Sequence, residues 1–188
     1  ETASDMRTGL YLAIAAVLGL GLAACDRATD PSATPAGEQA AATQDNPLFV
    51  ASDLPLQYPR FDLIRDEHFA PAFDAGMAEA LREIEAIADN SEPPTFENTI
   101  LALENSGRLL ERATTVFFNL VGADTNDTRR KIQAEYSPRF AAHRDAIMLN
   151  PKLFARIQAL YDKRDSLGLD AEGVRLVERY YTDFVRAG

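Results

Sequence analysis

Few residues in this chain could carry chemistry. Histidine occurs twice, at His68 and His143, and cysteine once, at Cys25. A hydrolytic metal site on a helix needs two histidines at i and i+4 with a glutamate beside the first, so that both imidazoles reach one ion and the carboxylate reaches its bound water. His68 is preceded, not followed, by its glutamate, Glu67, and His143 lies far along the chain, so that motif is absent. His143 falls in an apolar stripe and reads as a core or boundary histidine. Asp66 with Glu67, or Glu83 with Glu85, could be drawn as an acid and a base, but solvated faces and helix N-terminal charges account for both pairs more simply. No serine occupies a Gly-x-Ser-x-Gly elbow, and no glycine-rich phosphate loop occurs. Tyr180 and Tyr181 could face a ligand, although one ring in the core and one at its edge is the plainer outcome. The residues therefore assign no catalytic group and no metal ligand.

Cys25 has a different meaning. Met6-Arg7-Thr8-Gly9 is a short positive head, the chain is uncharged from Leu10 to Leu22, and Leu22-Ala23-Ala24-Cys25 follows. This pattern predicts an export signal over residues 1–24. A membrane span needs about 20 apolar residues, and Asp26 arrives too soon for one. Leu-Ala-Ala-Cys resembles a bacterial lipobox, which makes Cys25 the expected lipid-attachment residue and the first residue of the mature chain. Two or more acyl chains anchor stably where one does not. Residues 25–45 carry no aromatic or branched aliphatic side chain and are expected to form a disordered tether. The expected location is the bacterial cell envelope, lipid-anchored to the membrane and facing the periplasm or the outside. The Asn126-Asp127-Thr128 sequon carries no meaning there.

The elements that must position the remaining residues are helices. Phe69, Phe73, Met77, Leu81, Ile84 and Ile87 recur at spacings of three and four, which predicts a helix starting near His68 to Ala70 with Pro71 in its first turn. Asn90 and Pro93-Pro94 close it. Thr95 reads as an N-cap, and the stripe Phe96, Ile100, Leu103, Gly107, Leu110, Thr114, Phe117, Val121 predicts one long helix with Gly107 on its seam. Asp124 to Asp127 end that helix and cap the next, whose stripe Ile132, Tyr136, Phe140, His143, Ile147 is interrupted by Pro138, where a bend is expected. Asn150-Pro151 opens a helix expected to end near Gly168, and Asp170 opens the last one. Ahead of them all, the prolines at 47, 55 and 59 exclude a helix over 46–60, so that stretch is expected to lie over the core as an extended, packed arm. No segment alternates with period two, so the fold class is all-α, an antiparallel helical bundle of five helices over residues 46–188.

Length and charge narrow the rest. The 188 residues allow one domain, or one and a fragment. Nineteen Lys and Arg against 29 Asp and Glu give a net charge of −10, which argues against a nucleic-acid partner because phosphate contact needs clustered positive charge. A single cysteine excludes an internal disulfide and a thiolate zinc site. The last stripe runs to Gly188 with no polar stretch behind it, and five residues precede Met6, so both ends are expected to be cuts in a longer protein.

Several stretches carry a family resemblance: Asn46-Pro47-Leu48, Phe61-Asp62-Leu63-Ile64, His68 to Met77, Pro94-Thr95-Phe96-Glu97-Asn98-Thr99-Ile100, Asn150-Pro151-x-Leu153-Phe154, and Ser166 to Asp170. Together, over residues 46–188, they resemble the start of bacterial dipeptidyl carboxypeptidases, within the thimet-oligopeptidase family of zinc metallopeptidases. The resemblance implies the N-terminal helical part of a larger, mostly helical enzyme whose one zinc is held by a His-Glu-x-x-His helix and a downstream glutamate. It implies oligopeptide substrates cut two residues from the C-terminus, and a missing C-terminal catalytic domain as the partner of these helices. Their own implied role is a wall or lid of the substrate channel, with no zinc bound by this segment and no activity in it alone. The alternative is a complete small helical lipoprotein that binds a partner without catalysis. An in-frame continuation after Gly188 that encodes His-Glu-x-x-His separates the two.

Overall fold

The computed structural model describes residues 46–188, and those residues contain helices and turns with no strand. The export signal over 1–24, the attachment residue Cys25 and the tether over 25–45 lie outside the described residues. A 3-10 turn, Asp66–His68, leads into α1, Phe69–Ala88. Pro71 is the third residue of α1, where a helix has no internal use for an amide donor. A π-helical turn, Phe96–Leu101, precedes the short α2, Ala102–Asn105. There follow α3, Arg108–Ala123; α4, Asp127–Met148; α5, Pro151–Tyr161; and α6, Ala171–Ala187.

The caps are those the sequence indicates. Thr95, Asn126, Asn150 and Asp170 are extended, and each side chain accepts a backbone amide of the turn it opens. Thr95 also forms a reciprocal pair with Asn98: the Asn98 amide donates to Thr95 Oγ1 at 3.1 Å, and the Thr95 amide donates to Asn98 Oδ1 at 2.8 Å.

Three expectations need correction. The stretch from Phe96 to Val121 is not one helix, because Ser106 is extended and Gly107 takes the left-handed conformation at φ 68°. Two bonds hold the break: Ser106 Oγ donates to the Leu103 carbonyl at 2.8 Å, and the Gly107 amide donates to Glu83 Oε2 at 2.7 Å. The carboxylate of α1 thus sits at the positive end of α3, where the helix dipole favours it. The helix opened by Asn150-Pro151 ends at Tyr161 rather than near Gly168, and a separate 3-10 turn, Arg164–Ser166, follows. The arm over 46–60 is packed only at its start. Asn46 and Leu48 are buried, whereas Leu56 and Tyr58 are exposed and a 3-10 turn, Pro55–Gln57, interrupts the extended chain.

Two buried clusters organise the helices, and α1 belongs to both. Its first half joins Leu48, Phe117 of α3 and Tyr136 of α4 through Phe69, Phe73 and Met77. Phe73 meets Phe117, Tyr136 and Phe140 edge-on at ring distances of 5.0–5.3 Å, pairs that each contribute about 0.5–1.5 kcal/mol beyond burial. The second half of α1 joins α5 and α6 through Ile84 and Ile87, against Leu153, Ile157, Leu160, Val177 and Phe184. At Gly76 α1 and α3 come close together, since a Cβ there would lie 2.9 Å from Leu110 Cα and N. Among the described residues no helix is long and apolar enough to cross a membrane.

Candidate functional site

α3 and α4 both pack on α1, and between them lies an open groove of about 870 Å³. Ala80 and Ile84 of α1 form its floor, Leu110 and Phe118 line it from α3, and Phe140 and Ile147 from α4. Phe118 is 43% exposed. Of the lining side chains only Glu111 carries a full charge at neutral pH. α4 is the least covered of the α-helices: of its 22 residues only Tyr136 is buried. The helix assignment continues through Pro138, and Ser137 Oγ donates to the Gln133 carbonyl at 2.6 Å beside it.

His143 lines this groove from α4. Its Nδ1 is buried and has no hydrogen-bond partner among the described residues, and burial lowers its pKa, which favours the neutral ring. His68 lies elsewhere, in the turn before α1, where its Nδ1 accepts the Arg65 amide at 3.0 Å and its carbonyl accepts Asn46 Nδ2 at 2.8 Å. The two histidines are not brought together. Asp66 is drawn into a polar link instead of an acid–base pair: Arg129 Nε and Asn126 Nδ2 each donate to it at 2.7 Å, tying the α1 turn to the start of α4. Glu67 and Glu85 are exposed, and Glu83 is spent on the Gly107 amide. Among the described residues no three His, Cys, Asp or Glu side chains converge as a metal ion would require.

The two tyrosines divide. Tyr181 stacks on Tyr161 with ring centres 3.8 Å apart, while the Tyr180 hydroxyl donates to Glu104 Oε1 at 2.7 Å. Burial, and then the Glu104 carboxylate, raise the pKa of Tyr180. Tyr136 behaves similarly: burial first, then Asp74, to which it donates at 3.0 Å, push it up to about 12.

Sequence reasoning missed two arginines that fix the loops. Arg112 of α3 donates through Nε to the Leu48 carbonyl at 2.8 Å and through Nη2 to the Phe49 carbonyl at 3.2 Å, pinning the start of the arm. Arg156 of α5 is buried and donates to the carbonyls of Asn90 and Glu92 and to Asn98 Oδ1. An arginine on an amphipathic helix gives no sign in sequence that it will turn inward, and its carbonyl partners have no side-chain signature at all. The Pro94 to Ile100 stretch is thus structural: its Asn98 accepts from Thr95, Thr99 and Arg156 while donating to the Pro93 carbonyl.

No protein-family model matches the chain. Two curated proteins do. The dipeptidyl carboxypeptidase of Escherichia coli (strain K12) is 49% identical over 146 residues, which is 78% of this chain and 21% of that protein. The dipeptidyl carboxypeptidase of Salmonella typhimurium is 49% identical over 143 residues, 76% of this chain and 21% of that protein. The chain spans about one fifth of the length of these curated relatives. With about half its residues identical over three quarters of its length, the chain belongs to the dipeptidyl carboxypeptidase family.

Proposed function

We propose that this chain is the N-terminal part of a lipid-anchored zinc peptidyl-dipeptidase that hydrolyses short peptides and releases C-terminal dipeptides at the bacterial cell envelope. The observation that carries the reading is the 49% identity to two dipeptidyl carboxypeptidases over three quarters of this chain. The described residues do not fit a zinc site, because His68 caps a turn, His143 stands alone in the groove and no carboxylate cluster joins either. No step of the hydrolysis is assigned to them, and zinc belongs to the remainder of the longer protein. The helices serve as a wall or lid of the substrate channel, a role supported by the sparsely buried α4.

The test compares the 188-residue chain with the polypeptide that continues beyond it, using N-blocked tetrapeptides. The longer polypeptide should release the C-terminal dipeptide and lose activity to a chelator, while the 188-residue chain stays inactive. Chelator-sensitive cleavage by the 188-residue chain, or none by the longer one, overturns the proposal.

A further inference from the structure

We infer that the groove between α3 and α4 is a docking seat for an apolar helix face from the part of the dipeptidyl carboxypeptidase length that lies outside this chain. The inference rests on the reading that this chain is one part of a longer peptidase. Three observations choose this occupant. First, the matched relatives extend over about four-fifths more of their length than this chain spans, so most of the polypeptide available to cover the groove lies outside it. Second, the groove is predominantly apolar on a protein of net charge −10: Leu110, Phe118, Phe140 and Ile147 line it together with neutral polar side chains such as Thr114 and Asn119, and Glu111 is its sole full charge among the described residues. A nucleic acid or a strongly charged peptide finds no complement there, whereas an apolar helix does. Third, its form is that of an unfilled place in a bundle. Two helices flank a third that forms the floor, which is the arrangement that seats one more helix by ridge-and-groove packing.

The exposed Phe118 ring would gain most from cover, because large apolar side chains in the middle of a patch contribute most of the binding energy.

The test is thiol labelling with Cys25 replaced by serine and one cysteine placed on each wall, Asn119→Cys on α3 and Ser137→Cys on α4, both exposed groove residues. In the 188-residue chain both should react close to the rate of an unstructured cysteine peptide. In the longer polypeptide both should react about tenfold or more slowly, as expected for a site reached only by local opening. Rates near that of the free peptide in the longer polypeptide overturn the inference. Slow labelling already present in the 188-residue chain, and deepening with its concentration, also overturns it and assigns the groove to a second copy. Peptidase activity of the same longer polypeptide is measured alongside: activity with unprotected groove cysteines sinks the docking seat alone, and absent activity sinks the proposed function.

Discussion

Arg156 Nη2 donates to Asn98 Oδ1 at 2.8 Å across 58 residues of sequence, joining α5 to the capping pair that opens the helical turn at Thr95. The same guanidinium holds the carbonyls of Asn90 and Glu92, so one side chain fixes both the exit of α1 and the entry of the next element. Replacing it with methionine keeps the stem and removes the donors. Hydrogen bonds from a charged group are each worth about 1.5–3 kcal/mol, so Arg156→Met should cost about 3 kcal/mol or more. Urea unfolding measures this. Arg156→Lys should recover less than half, because an ammonium cannot reach three acceptors in the same fork. A midpoint unchanged in Arg156→Met would refute the role.

Gly76→Ala should destabilise through contact and Gly107→Ala through backbone conformation. At Gly76 the added methyl meets the backbone of Leu110, which cannot swing aside, and overpacking of this kind costs about 1–3 kcal/mol. At Gly107 there is room beside Ala80, but φ 68° costs an alanine about 1–2 kcal/mol. If the segment were a continuous helix, Gly107→Ala would instead stabilise it, so the sign of the change in thermal midpoint decides between the two geometries.

Tyr136 predicts a loss of stability in alkali. Its pKa is raised in the folded protein, so the folded state holds the proton more tightly than the unfolded one. The contribution is full below the ordinary tyrosine value near 10 and is lost as pH rises toward about 12. Ultraviolet titration should show one fewer late-ionising tyrosine in Tyr136→Phe, with Tyr180 still late, and the variant should lose less stability between pH 10 and 12. An early, single titration of all tyrosines would contradict this.

His143 predicts the opposite direction in acid. Its folded pKa is lowered by burial, so its contribution is present above the ordinary histidine range and is lost as pH falls through that range toward the lowered folded value. In a proton NMR titration its imidazole should protonate at lower pH than a model imidazole. His143→Gln should flatten the acid limb of thermal stability, and an ordinary titration midpoint for His143 would remove the basis for this.

Cys25→Ser should move the protein from the membrane fraction to the soluble fraction or leave its leader uncleaved. Fractionation with mass measurement of the N-terminal peptide checks both. An unchanged membrane-bound mature form would sink the lipid-attachment assignment.

Much of the fold was legible because its signals are local. The caps at Thr95, Asn126, Asn150 and Asp170 each depend on a side chain and an amide two or three residues away; three occur at the residues read, and Asn126 falls within the run Asp124 to Asp127 read as the second cap. The break at Ser106-Gly107 was hidden because the apolar spacing suits a continuous helix equally well, and what holds the break open is Glu83 on another helix. The arm misled for a related reason: Leu54, Leu56 and Tyr58 have the composition of core residues, but composition does not say which of them the core has room for. The groove could not be read at all, since it exists only in how far α3 and α4 diverge over α1. Family membership was legible, and the residues that carried it include the Asn98 hub, which is structural.

Because α1 serves both buried clusters, the order in which the chain emerges during synthesis matters. Leu48, Phe73, Phe117 and Tyr136 can assemble the first cluster once α4 has begun to form. The far half of the same helix must then wait with Ile84 and Ile87 uncovered until Leu153, Ile157 and Leu160 of α5 arrive. A nascent chain stalled between these points would present that half-dressed helix to its surroundings, which makes the stretch from α4 to α5 the interval in which a holding chaperone would find most to bind.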